Sequence, residues 1–328
     1  MRWMSRRSVL GSASLALAGS ILPGCARRVE PLRLGLHPWP ANDLYFLADQ
    51  LGHYEGAPIR IVDYTSAEQG LQAVRNGVAE LYPCTLDEAL LLASDLPDVR
   101  VVQVLDTSHG ADVILAHADI PSLEALRGRR IGYEATSLGA YVLSRGLATA
   151  GLTPADVTPV FLQVDEHERA FLERRVDAVV TYEPVRSRLL AAGASVVFDS
   201  TRIPGEIVDV LVTLSPVLER QPDILVTVVR GWLLAAEHLS TRPREAAEAL
   251  APRLTLPADQ VLDAFAGIHL ADLAENRAFL EGTPPGLTDA ARRLGETMVA
   301  NRFLSRAPDL ERLFDARIVA RISLSSRR

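Results

Sequence analysis

The chain has 328 residues, 48% of them hydrophobic, a formal net charge of −7, two cysteines and no lysine. That length and apolar content can bury an ample core and lead us to expect two lobes or domains. The acidic balance counts against nucleic acid as a partner, and the all-arginine basic set reads as coding bias rather than mechanism.

In chain order, the first element is a leader. Arg2, Arg6 and Arg7 precede an apolar run from Val9 to Leu22, which ends in Leu22-Pro23-Gly24-Cys25. This is the pattern of a secretory signal peptide. A spanning helix needs about 20 apolar residues, whereas this run is shorter and broken by Gly11, Gly19 and several serines, so cleavage is expected. The box resembles the bacterial lipoprotein signal, which implies that residues 1–24 are removed and that Cys25 carries lipid, with residues 25–31 as a tether. Ser5-Arg6-Arg7-Ser8-Val9-Leu10 also resembles the twin-arginine export signal, with Val9 where phenylalanine is more usual. Cleavage removes three positive charges and leaves Cys84 without a disulfide partner. The expected location is outside the cytoplasm, on the outer face of the cytoplasmic membrane or in the periplasm.

From Leu32 to about Val212 short β-rich runs alternate with amphipathic helical segments, as in α/β units. The predicted strands are Leu32 to Leu36, Ile59 to Asp63, Glu80 to Cys84, Val99 to Leu105, Val113 to Ala116, Arg130 to Tyr133, Val160 to Gln163, Ala178 to Tyr182, Val196 to Asp199 and Val208 to Val212. Gly77, Gly151 and Gly193 fall just past helical stretches, where a left-handed C-cap is wanted. Beyond Ser215, read as an N-cap, the pattern is helical: Val217 to Ser240, Pro243 to Leu250, Pro257 to Ala266, Asp272 to Leu280 and Leu287 to Phe303. The tail Ser325 to Arg328 is expected to be disordered. Val101 to Ala116 and Phe198 to Val212 read as crossovers, giving one lobe over 32–108 and 206–328 with the C-terminal helices and an inserted lobe over 109–205. Two connecting strands make a hinge, and a hinge implies a cleft.

Trp39-Pro40, Thr85-Leu86-Asp87-Glu88, Gly110-Ala111-Asp112, Ile131-Gly132-Tyr133-Glu134, Asp177 to Pro184 and Asp199-Ser200 resemble the nitrate, sulfonate, taurine and thiamine-precursor group of periplasmic solute-binding proteins. The likeness covers about residues 32–240. It implies an α/β, type II periplasmic-binding-protein fold, with two α/β lobes joined by two hinge strands and a helical C-terminal extension. It also implies a monomer that captures a small molecule and delivers it to an ABC permease and its ATPase, without a cofactor.

In open α/β sheets ligands lie beyond the carboxyl ends of strands, and the loops there supply the candidate ligand-binding residues: Trp39, Tyr64, Thr85, Asp87, Asp112, Glu134, Thr136, Tyr182, Glu183 and Asp209. Tyr182-Glu183-Pro184 carries the strongest expectation, because Pro184 suits a first helical turn and leaves Glu183 at the cleft edge; the other reading is a buried Glu183 paired with Arg186 or Arg188. Thr85 and Asp87 suit ligand contact or helix capping, and one of Thr136 and Ser137 is expected to be only a cap. Asp112 and Asp209 either touch ligand or hold the hinge strands together. These loops are acidic, with Asp106 and Glu206 adding to the candidates, and arginine is absent before Arg186. That field favours a cation or amine-bearing heterocycle over an oxoanion, with Trp39 and Tyr182 available for stacking. An enzyme is not expected, since no Gly-x-Ser-x-Gly elbow and no metal-ligand spacing of the histidines and Cys84 occurs. The other non-enzymatic reading is a tethered receptor reporting to a membrane sensor.

Overall fold

The computed structural model describes residues 30–324. The leader, Cys25 and the Ser325–Arg328 tail lie outside the described residues. In chain order the elements are β1 (Leu32–Leu36), α1 (Asp43–Gln50), β2 (Ile59–Asp63), α2 (Ala67–Arg75), β3 (Leu81–Thr85), α3 (Leu86–Asp95), β4 (Val99–Ser108), β5 (Val113–Ala116), β6 (Arg130–Tyr133), α4 (Ser137–Thr149), β7 (Thr158–Phe161), α5 (Val164–Leu172), β8 (Ala178–Thr181), α6 (Val185–Ala191), β9 (Ser195–Asp199) and β10 (Val208–Leu214). The helical part follows as α7 (Ser215–Arg220), α8 (Pro222–Thr241), α9 (Pro243–Leu254), α10 (Ala258–Phe265), then β11 (Ile268–Leu270), α11 (Leu273–Leu280) and α12 (Thr288–Ala300).

The strands form two sheets, a six-stranded one in the order β11-β4-β10-β3-β1-β2 and a five-stranded one in the order β7-β6-β8-β5-β9. This is the two-lobed α/β fold that the sequence led us to expect. In each sheet a parallel group, β2-β1-β3 or β7-β6-β8, is extended by an antiparallel strand that a crossover delivers: β10 pairs with β3 and β4, and β5 with β8 and β9. Parallel strands covered on both faces read as unbroken apolar runs, which is why Leu81–Thr85 and Ala178–Thr181 are buried throughout.

The two crossovers are tied to one another. Ser108 Oγ lies 2.8 Å from Ser200 Oγ, the Gly110 amide donates to Ser200 Oγ at 2.6 Å, and the Ser200 amide donates to the Asp112 carbonyl at 2.9 Å. The chain can pass so closely here only because Gly267 lacks a side chain, since a Cβ on it would sit 2.7 Å from the Ala111 nitrogen.

Several local expectations need correction. Ser215 is the first helical residue, with Leu214 at the cap, and the helix expected over 217–240 is two helices meeting at Gln221. Pro222 at the start of the second explains the break, because it offers no amide to continue the first. Strand β7 begins two residues before its predicted start, since pairing with Arg130–Tyr133 of β6 sets its register. Strand β11 was not foreseen. Its three residues pair with Asp106–Ser108 at the end of β4, a partnership too distant in sequence to leave a local signal.

Candidate functional site

A cavity lies where the carboxyl ends of β1, β3, β6 and β8 meet the starts of β5 and β10. It is lined by His37, Trp39, Ala67, Thr85, Glu88, Asp112, Glu134, Thr136, Leu138, Tyr182 and Asp209. The cavity volume is only about 20 Å³, so the cleft is nearly shut. A solute of drug or metabolite size needs several hundred Å³ and can enter only if the cleft opens.

Two aromatic side chains meet edge to face across the cleft. The ring centroids of Trp39 and Tyr182 are 5.8 Å apart at 76°. The indole Nε1 of Trp39 donates to Asp106 Oδ2 at 3.1 Å, and Tyr182 Oη donates to Glu134 Oε2 at 2.7 Å. Each aromatic is thereby aimed by a carboxylate behind it. A direct lobe-to-lobe bond joins Ser137 Oγ, donating, to Asp87 Oδ2 at 2.5 Å.

Asp87, Glu88, Asp106, Asp112, Glu134 and Asp209 are all buried at or beside this cavity, and no arginine lines it. Burial is the largest cause pushing each acid up: Asp106 and Glu134 to about 7, Asp112 to about 6, and Asp87, Glu88 and Asp209 upward as well. Repulsion between neighbours adds to this for Glu88, from Asp87 and Glu134, and for Asp209, from Asp106 and Asp112. Glu88 Oε1, Glu134 Oε1 and Asp106 Oδ1 are buried acceptors with no hydrogen-bond partner. Burial also pushes His37 down to about 4, so the one basic side chain in the wall is neutral. The site therefore presents unsatisfied carboxyl oxygens and no protein cation to meet them.

Of the sequence candidates, Trp39, Thr85, Asp112, Glu134, Thr136, Tyr182 and Asp209 come together on this wall. Thr136 also caps α4, its Oγ1 accepting from the Gly139 amide at 3.3 Å. Tyr64, Asp87 and Glu183 do not line the cavity. Tyr64 packs on Gly35 and stands edge-on to Tyr82. Asp87 lies in the first turn of α3, where it holds Ser137. Glu183, 1% exposed, turns back into α6 and accepts from Arg186 Nη1 at 2.9 Å, Ser187 N at 3.2 Å and Ser187 Oγ at 3.0 Å. Glu206 is held away from the cavity by Arg145 and Tyr141.

The sequence reading missed His37 and Glu88. Glu88 carried a usable signal, because Thr85-Leu86-Asp87-Glu88 has capping-box spacing, and its Oε2 accepts from the Thr85 amide at 3.3 Å. That spacing fixes Glu88 at the mouth of α3, next to the strand end where a ligand would lie.

A family described as NMT1/THI5 like matches residues 40–246, a span that includes both lobes' strands from β2 to β10. The chain belongs to the NMT1/THI5-like family. A curated relative from Escherichia coli K12, described as a candidate aliphatic sulfonates-binding protein, is 27% identical over 177 residues, which is 52% of this chain and 56% of that protein. The match thus spans little more than half the curated relative's length. Among solved structures, the periplasmic aliphatic sulphonate binding protein SsuA of Escherichia coli superposes with a TM-score of 0.72 at 20% identity, covering 88% of this chain and 93% of that one. The alkanesulfonate-binding protein SsuA of Xanthomonas axonopodis pv. citri, bound to MOPS, also gives 0.72, at 21% identity over 84% and 95%. The desulfurization enzyme DSZB shares the fold more distantly, with a TM-score of 0.64 at 17% identity over 88% and 98%. For this NMT1/THI5-like chain these likenesses fix the fold as that of periplasmic binding proteins. Among the described residues no group of histidine, cysteine and acids is placed to hold a metal ion, and no helix is long and apolar enough to cross a membrane.

Proposed function

We propose that this protein is an exported, lipid-anchored solute-binding protein that closes two lobes over a small molecule and hands it to the permease and ATPase of an ABC importer. Lipid on Cys25 would tether it, and the lobes over 32–108 with 206–328 and over 109–205 would rotate about the crossovers near 106–112 and 203–209. The ligand in this reading is a nitrogenous cation or amine-bearing heterocycle. One observation carries that choice: the cavity wall holds buried carboxyls with unpartnered oxygens and no arginine. An N–H donor bearing positive charge satisfies those oxygens and offsets the cost of their burial, whereas an oxoanion brings no N–H to meet them.

The names of the relatives favour a second reading, in which the ligand is a sulfonate or similar anion held by helix N-termini and hydroxyls. Thermal unfolding of the purified protein against amines and aminoheterocycles on one side, and aliphatic sulfonates, MOPS, nitrate and carboxylates on the other, separates the two. A ligand at a thousand times its dissociation constant adds about 4 kcal/mol, which raises the melting temperature by several degrees. Stabilisation by a cationic or heterocyclic member supports the proposed ligand class. Stabilisation by anions alone overturns that class and keeps the transport reading.

A further inference from the structure

The two strands that carry the chain between the lobes bring aspartates to one point. Asp106 on β4 stands directly opposite Asp209 on β10 in the antiparallel ladder, beside a register irregularity at Val210. Asp112, one residue before β5, completes the group, its amide donating to Ser108 Oγ at 3.2 Å. All three carboxyls are buried.

The groups that face them come from every neighbouring element. Trp39 from the loop after β1 donates to Asp106. Glu88 of α3 repels charge on Asp209 and Asp87 of α3 repels charge on Asp112, while burial and these acids push the Cys84 thiol of β3 up and keep it neutral. His269 of β11 acts on Asp106 from the outside but is itself bonded to Glu275 at 2.7 Å. Like charges directly opposite in a sheet destabilise the pair, and in a dry site the cost is far larger than in water. Parting the lobes lets water reach the same carboxyls and removes that cost.

We infer that the hinge carries a proton-sensitive latch: Asp106, Asp209 and Asp112 favour the closed cleft when they hold protons and the open cleft when all three are ionised. The upward displacement of Asp106 to about 7 and Asp112 to about 6 places the working window between the ordinary carboxylate range near 4 and about 7. Within it, closure takes up protons, and the ratio of closed to open molecules falls by roughly tenfold per pH unit for each group that ionises only on opening. The latch goes beyond the choice of cargo and does not depend on it.

The test is small-angle scattering of the full chain without added solute at pH 5.0 and pH 8.0. The expected radius of gyration is smaller at pH 5.0, with a midpoint inside that window. An equal or larger radius at pH 5.0 overturns the latch and leaves the cargo reading untouched. The double variant Asp106→Asn with Asp209→Asn keeps the hydrogen-bonding capacity without the titration and is expected to stay at the closed radius at both pH values; a wild-type pH response in it overturns the assignment. Should that variant not fold by circular dichroism, Asp112→Asn alone is expected to shift the midpoint, and an unshifted midpoint overturns the proposal.

Discussion

Trp39 and Glu134 are both buried, yet they ask for different experiments. Trp39 is 5% exposed, so truncation to alanine costs about 3–5 kcal/mol of stability and confounds any binding assay. Trp39→Phe keeps an aromatic ring and most of the packing while removing the N–H that donates to Asp106. We expect it to fold and to bind at least tenfold more weakly, about 1.4 kcal/mol, a solute that stabilises the wild-type protein, by titration calorimetry. Glu134→Gln keeps an acceptor for Tyr182 Oη but removes the charge. Under the cationic reading it weakens binding more than tenfold, and unchanged affinity would sink that reading. Glu183 behaves oppositely. Its oxygens serve Arg186 and Ser187, so Glu183→Ala should lower stability by about 1–3 kcal/mol while changing affinity by less than twofold. Residue types at strand ends made most of the wall legible in the sequence, but the direction of each side chain was not. Glu183 follows the strand end just one residue after Tyr182, and the turn into α6 sends it away from the cavity.

Helix α2 and helix α8 contain glycines whose purpose is packing. A Cβ on Gly70 of α2 would lie 2.1 Å from the Tyr82 ring, and one on Gly231 of α8 would lie 2.3 Å from the Tyr54 ring. In an exposed helix, replacing glycine with alanine gains up to about 1 kcal/mol. Here the ring edges belong to fully packed side chains, so overpacking wins and Gly70→Ala and Gly231→Ala should each destabilise by about 1–3 kcal/mol, read by denaturant titration. Most elements were legible because each has its own signal: apolar runs for the covered strands, amphipathic period for the helices, and glycines with positive φ at Gly77, Gly151 and Gly193. The exceptions are elements defined by a partner. Strand β11 exists because β4 extends to Ser108, and the true bounds of β7 follow from its register against β6.

At the scale of the whole molecule, the buried carboxyls set how stability varies with pH. Asp106 and Glu134 rise to about 7 and Asp112 and Asp43 to about 6, burial being the first cause in each. The native state therefore binds more protons than the unfolded chain between about pH 4 and pH 7, and stability falls as pH rises through that window, by on the order of a few kcal/mol. Asp156 and Asp177, lowered by hydrogen bonds from Thr153 and Arg130, act the other way and lose their contribution only below the ordinary carboxylate range. The melting temperature without solute should therefore be higher at pH 5 than at pH 8, and a rise from pH 5 to pH 8 would contradict this account. The sequence by itself determined the alternation of strands and helices, the two crossovers and the set of loops that could meet a ligand, because periodicity and turn chemistry are local. It also determined that the cleft would be acidic, since composition along those loops needs no coordinates. Only the tertiary structure decided which acids face the cavity, that Asp106 and Asp209 oppose one another, and that their burial holds them near neutrality. Those properties depend on register and on exclusion of water, and both arise only when the two sheets pack.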